Sequence, residues 1–248
     1  MNCAVDLEKS DRRSGAAGAP GPRADRMEEK APSGAGADGM YDEFIGRLAE
    51  LKVIPVIALE DPAKADDLAG ALAAGGLPVA EVTFRLAGAE KAIRTMADRG
   101  DILVGAGTVR TLDQAKAAVD AGAAFLVSPG FGAAVTEWAV GKGVPILPGI
   151  DSTTGLEMAL ALGLDTVKFF PAGASGGLAK LKALYGPYAD VKFCPTGGIG
   201  AGNLAEWLAH PAVIACGGSW LVAKDLLAAG NWDEVTRLVA EAVSIARG

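Results

Sequence analysis

From position 40 onward the apolar residues fall into two alternating rhythms. Tyr41, Phe44, Ile45, Leu48 and Leu51 recur at three- and four-residue steps, so an amphipathic helix is expected from Met40. Beyond it, short and nearly continuous apolar runs stand at 53–59, 79–84, 102–108, 125–129, 144–150, 166–171, 191–196 and 213–219. Runs of this length without polar alternation suit strands covered on both faces. Each is followed by an Ala/Leu-rich amphipathic segment. Several of these segments stop at glycine (Gly75-Gly76, Gly100, Gly122, Gly143, Gly163), the residue that favours a helix C-terminus. Eight strand–helix units in about 200 residues predict an α/β fold, a single (β/α)8 TIM barrel over 40–248 with the N-terminal helix ahead of it. A doubly wound open sheet is the alternative, but no Rossmann glycine fingerprint is evident.

Residues 1–39 read differently. Ser14-Gly-Ala-Ala-Gly-Ala-Pro-Gly-Pro22 and its neighbours mix small residues, proline and scattered charge, so a disordered tail is expected there. Its acids, among them Asp6, Glu8, Asp11 and Asp25, argue against a transit peptide. The chain has 248 residues, 50% hydrophobic and 21% charged, with a formal net charge of −7. No basic stripe stands out, which argues against a nucleic-acid partner. No run of roughly 18 apolar residues exists, so a membrane span is not expected. Three cysteines, Cys3, Cys194 and Cys216, form no regular framework and fit a reducing cytoplasm. The single histidine, His210, is expected at the surface. One histidine and scattered cysteines do not make the usual zinc site, so no metal is expected.

The chemistry gathers near the strand ends, where such barrels carry their active sites. Lys168 lies inside the apolar run Thr166-Val-Lys-Phe-Phe-Pro171. A buried ammonium either finds a partner or has its pKa depressed, and a free amine can attack a ketone to form a Schiff base. The alternative is a lysine that reaches solvent or merely pairs with a carboxylate. In Glu81-Val-Thr-Phe-Arg85, alternation puts Glu81, Thr83 and Arg85 on one face and Val82 and Phe84 on the other. The apolar pair suits the helix side, so Glu81 and Arg85 are expected to point inward. An ion pair within that one strand is the competing reading. The loops Thr196-Gly197-Gly198 and Gly217-Gly218-Ser219 follow the last two strands, where barrels commonly bind phosphate on exposed N–H groups. Tight turns without a ligand remain the alternative.

Taken together, Glu81-Val-Thr-Phe-Arg85, Gly105-Ala-Gly-Thr108, Ser128-Pro-Gly130, Val167-Lys-Phe-Phe-Pro171, Phe193-Cys-Pro-Thr-Gly-Gly198 and Gly217-Gly-Ser-Trp220 resemble the bacterial 2-keto-3-deoxy-6-phosphogluconate (KDPG) / 4-hydroxy-2-oxoglutarate (KHG) aldolase family over about residues 50–230. The resemblance implies a class I, cofactor-free and metal-independent aldolase of the Entner–Doudoroff pathway, usually a homotrimer and cytoplasmic. It implies Lys168 as the Schiff-base lysine and Glu81 as the general acid/base. Arg85, Thr108 and Pro129 would line the pyruvyl and carboxylate end. Thr196, Gly197, Gly198, Gly218 and Ser219 would hold the phosphate. Two departures stand beside the mouth: Leu86 replaces a frequent Thr, and Gly173 and Ser175 replace a frequent Glu and Asn. They bear on substrate preference more than on reaction class. The small-molecule partners implied are KDPG, pyruvate and glyceraldehyde 3-phosphate. A galactonate-series or unphosphorylated substrate, or a non-catalytic sugar-phosphate-binding barrel, stays open at this point.

Overall fold

The structure is a computed structural model and describes residues 37–248. The tail expected at 1–39 lies outside the described residues except for 37–39, which belong to the first helix. In chain order the elements are α1 (Ala37–Leu51), β1 (Val53–Ile57), α2 (Ala65–Ala74), β2 (Val79–Thr83), α3 (Ala89–Arg99), β3 (Leu103–Gly107), α4 (Leu112–Asp120), β4 (Phe125–Val127), α5 (Ala133–Gly141), β5 (Ile146–Leu147), β6 (Gly149–Ile150), α6 (Thr153–Leu160), β7 (Thr166–Phe169), α7 (Gly177–Tyr185), β8 (Lys192–Pro195), α8 (Leu204–Leu208), β9 (Cys216–Gly218), α9 (Lys224–Ala229) and α10 (Trp232–Arg247). All eight expected strands occur in place. The fifth is split in two at Pro148, which has no N–H to give a ladder.

Every strand pairing between these elements is parallel, and together they make a curled sheet covered by helices. One run of six strands has the order β5-β4-β3-β2-β1-β9, and a second run of three has the order β6-β7-β8. Isolated bridges Phe193–Val213 and Thr196–Gly217 connect β8 to the β9 segment. The strands are buried along nearly their whole length, which explains why their sequences do not alternate. Helix ends obey the local chemistry. Thr111 and Ser152 cap α4 and α6 by accepting from the N–H groups of Gln114 and Gly155. Gly100, just past α3, has a φ of 72°, the left-handed conformation that only glycine adopts freely.

One end of the sheet is closed by α1. Phe44 stacks on Phe125 at the start of β4, with ring centroids 4.8 Å apart, and Tyr41 Oη donates to the Thr166 carbonyl at the start of β7 (3.3 Å). Gly105 makes this possible, because a Cβ there would collide with the Phe125 ring. Burial, with nearby Asp165 adding to it, holds the Tyr41 phenol well above its usual range. At the far side of the chain, α10 buries Val235, Val239, Ala242 and Ala246, spaced as one helical stripe. His210 is partly exposed: its Nδ1 accepts from the Ala212 N–H, and its ring meets Tyr185 edge-on. Among the described residues no helix is long and apolar enough to cross a membrane.

Candidate active site

Lys168 and Glu81 meet inside the sheet. Lys168 Nζ donates to Glu81 Oε1 at 3.1 Å, and the two side chains are only 6% and 3% exposed. Lys168 is the third residue of β7, with Gly149 and Cys194 as its Cα partners on the neighbouring strands. Glu81 is the third residue of β2, opposite Gly105 on β3 and Val56 on β1. The inward direction expected for Glu81 from strand alternation is therefore observed. Its partner is Lys168, not Arg85. Arg85 falls two residues past the end of β2, in a turn, and is exposed.

Glycines shape the interior around this pair. A Cβ on Gly107 would collide with the Glu81 carboxylate, and one on Gly149 would strike the Pro129 backbone. On β9, a Cβ at Gly217 would meet Thr196 Oγ1. The ammonium also lies 5.4 Å from the centre of the Phe170 ring, an attraction that adds to the ion pair. Below it, Cys194 is buried, and burial pushes its thiol up to about 12, so it is a neutral neighbour.

The other expected residues lie at or just beyond the C-terminal ends of the strands. Arg85 and Thr108 come together, with Arg85 Nε donating to Thr108 Oγ1 at 3.4 Å. Thr108 has a φ of 56°, unusual for a β-branched residue and the kind of backbone strain found at functional positions. Arg85, Thr83 and Ser219 line one cavity of about 350 Å³. Thr83 is buried and donates to the Ile57 carbonyl (2.8 Å). Pro129 is half-buried at the end of β4.

The loop after β7 runs alongside the loop after β8. The Ala172 and Gly173 N–H groups donate to the Thr196 and Gly197 carbonyls (2.8 and 2.9 Å). Gly197 and Gly198 have φ values of 98° and 77°, a turn closed to most other residues. Gly218 lies against the Trp220 ring, and Ser219 follows it with an exposed side chain.

Two residues at the site escape sequence reasoning. Phe170 lies beyond the regular part of β7, where alternation gives no direction. Asn203 fixes the glycine loop by donating to the Gly198 carbonyl and accepting from the Gly200 N–H, both at 2.9 Å. Its position after Gly200-Ala-Gly and before a helix was a usable capping signal. Among the described residues no group of three or more His, Cys, Asp or Glu side chains converges as metal ligands would.

Known proteins place this arrangement in context. Residues 44–238 match the family model described as KDPG and KHG aldolase. A 2-dehydro-3-deoxy-phosphogluconate aldolase of Haemophilus influenzae is 47% identical over 204 residues, 82% of this chain and 96% of that protein. The KHG/KDPG aldolase of Escherichia coli is 43% identical over 196 residues, 79% of this chain and 92% of its own length. Among solved structures, a KDPG aldolase of Legionella pneumophila, with pyruvate captured as a covalent carbinolamine intermediate, superposes with a TM-score of 0.77. It is 41% identical and the match covers 79% of this chain and 96% of that one. The family model spans most of the described residues, the relatives match along nearly their whole length, and the chain belongs to the KDPG and KHG aldolase family.

Proposed function

We propose that this protein is a Schiff-base aldolase that cleaves KDPG to pyruvate and glyceraldehyde 3-phosphate, and KHG to pyruvate and glyoxylate. The observation that carries the reading is the buried contact of Lys168 with Glu81 beside the glycine-built loops. Glu81 takes a proton from Lys168, and the freed amine adds to the C2 ketone. The same carboxyl returns that proton to the carbinolamine hydroxyl, which leaves as water and gives an iminium. The iminium accepts the electron pair of the C3–C4 bond as Glu81, directly or through one water, removes the C4 hydroxyl proton. The aldehyde departs and a pyruvate enamine remains. Protonation at C3 and hydrolysis then release pyruvate and restore the lysine.

In this reading Arg85 and Thr108 hold the pyruvyl carboxylate, with Pro129 packed beside it. Thr196, Gly197, Gly198, Gly218 and Ser219 hold the phosphate, chiefly through backbone N–H groups. We further read the strand pairings as a closed (β/α)8 barrel. Its support is the pair of bridges between β8 and the β9 segment, together with the single residue, Pro148, between β5 and β6. A homotrimer is inferred from the family resemblance, with the exposed apolar side chains of Met40, Leu86 and Met158 as surface available for contact. A cytoplasmic location is inferred from the same resemblance and suits the free buried thiols of Cys194 and Cys216.

Incubation with pyruvate and borohydride tests the chemistry. Reduction of the imine should leave a stable adduct, and peptide mass mapping should place it on Lys168. An adduct on another lysine, or none, sinks the mechanism. Gly107 offers an independent test of geometry. Gly107→Ala should push the Glu81 carboxylate aside and lower kcat on KDPG by about 10²-fold, the scale of a 1 Å misplacement. Turnover within twofold of the parent would show that Glu81 tolerates the shift and would weaken its assignment as the proton carrier.

A further inference from the structure

The cavity beside Arg85, Thr83 and Ser219 has a second cation on its wall, Lys224 at the start of α9. An adjacent cavity of about 180 Å³ is lined by Glu60, Asp61, Lys64 and again Lys224, so Lys224 stands on the ridge between the two. Its ammonium is 2.8 Å from Glu60 Oε1, and the side chains are 78% and 55% exposed. An ion pair this exposed holds weakly and exchanges readily. The neighbouring cations are engaged otherwise. Lys64 Nζ donates to the Leu227 and Ala228 carbonyls at the end of α9, and Arg85 is drawn to Thr108. Lys224 is therefore the cation at this mouth held only by an exposed carboxylate, and it lines the same cavity as Ser219.

We propose that Lys224 is a specificity-determining residue that leaves Glu60 to meet the phosphate end of the substrate, so that Glu60 and the phosphate compete for one ammonium. The proposal rests on the aldolase reading above. A flexible four-carbon stem with three rotatable donors suits such an exchange better than a fixed fork would. It also gives a chain with a formal net charge of −7 a local means of attracting an anionic substrate. Glu60 then acts as a brake on phosphate binding, released only by a group that offers a better partner than one exposed carboxylate.

Two measurements on the full chain test this. One is KM for KDPG. The other is the pyruvate concentration that half-saturates borohydride trapping, which involves a carboxylate but no phosphate. Lys224→Ala should raise the first relative to the second by about three- to tenfold, the range of one exposed charge-assisted contact. Glu60→Gln should move the ratio the other way, by about two- to threefold, because the competitor is gone. Lys224→Arg should restore most of the parental ratio. Both quantities shifting together, or the ratio standing still in both variants, overturns the proposal. Failure of the parent protein to trap pyruvate or cleave KDPG would instead sink the aldolase reading, and this proposal with it.

Discussion

Lys168→Met should lower kcat on KDPG by at least about 10⁴-fold, the range reached when a catalytic nucleophile is removed. The same variant should lose about 3–5 kcal/mol of stability. The side chain of Glu81 is 3% exposed and would be left buried without its counter-charge. The pair itself is a weak source of stability, since desolvating both charges cancels much of their attraction. It follows that adding Glu81→Gln to Lys168→Met should recover a large part of the loss, while activity stays absent. Urea melts on the two single variants and the double variant measure the coupling directly. Additive stabilities would show that water reaches the pair. Turnover by Lys168→Met within tenfold of the parent would remove Lys168 from the mechanism.

Glu81→Gln tests whether Glu81 carries protons or only balances charge. It should cut kcat by at least about 10²-fold, the lower end for general acid–base catalysis. Trapping of pyruvate on Lys168 should slow, because Glu81 also serves imine formation, but should still reach completion, because a lysine buried without a counter-charge is disfavoured as an ammonium and can present a free amine. If Glu81 only balances charge, the change should act on stability and KM with kcat nearly intact. Steady-state kinetics, a melting curve and borohydride trapping on the same preparation distinguish the two. A near-normal kcat would make Glu81 structural and require a different proton carrier.

Much of the arrangement is legible in the sequence, for local reasons. Strands buried on both faces leave uninterrupted apolar runs, and glycines punctuate the helices between them. Alternation in Glu81-Val-Thr-Phe-Arg85 suffices to aim Glu81 inward, because period-two geometry is rigid. What it cannot supply is the partner across the interior: Lys168 is 87 residues away, and nothing local links the two. Arg85 lies past the end of β2, so strand alternation does not fix its direction. Phe170 was illegible for the same reason. It follows the last regular residue of β7, where the chain turns toward Pro171 and parity stops carrying information. The neighbour relation of the Ala172–Gly173 and Thr196–Gly197 segments depends on two loops meeting, which no single segment encodes.

The glycines of the interior wall have a consequence for evolvability. Gly105, Gly107, Gly149 and Gly217 each touch a neighbour that an added methyl would displace: Phe125, Glu81, the Pro129 backbone and Thr196. This part of the molecule behaves as a mould already filled to its limit, so variation there trades directly against folding or chemistry. The rim is different. Leu86 and Gly173 are exposed and Ser175 is half-buried. Saturation libraries aimed at new acceptor aldehydes should therefore concentrate on positions 86 and 175 and leave the wall untouched, while a side chain at 173 would press on the Gly197 carbonyl. Natural diversification of substrate range within this scaffold would be expected to follow the same route.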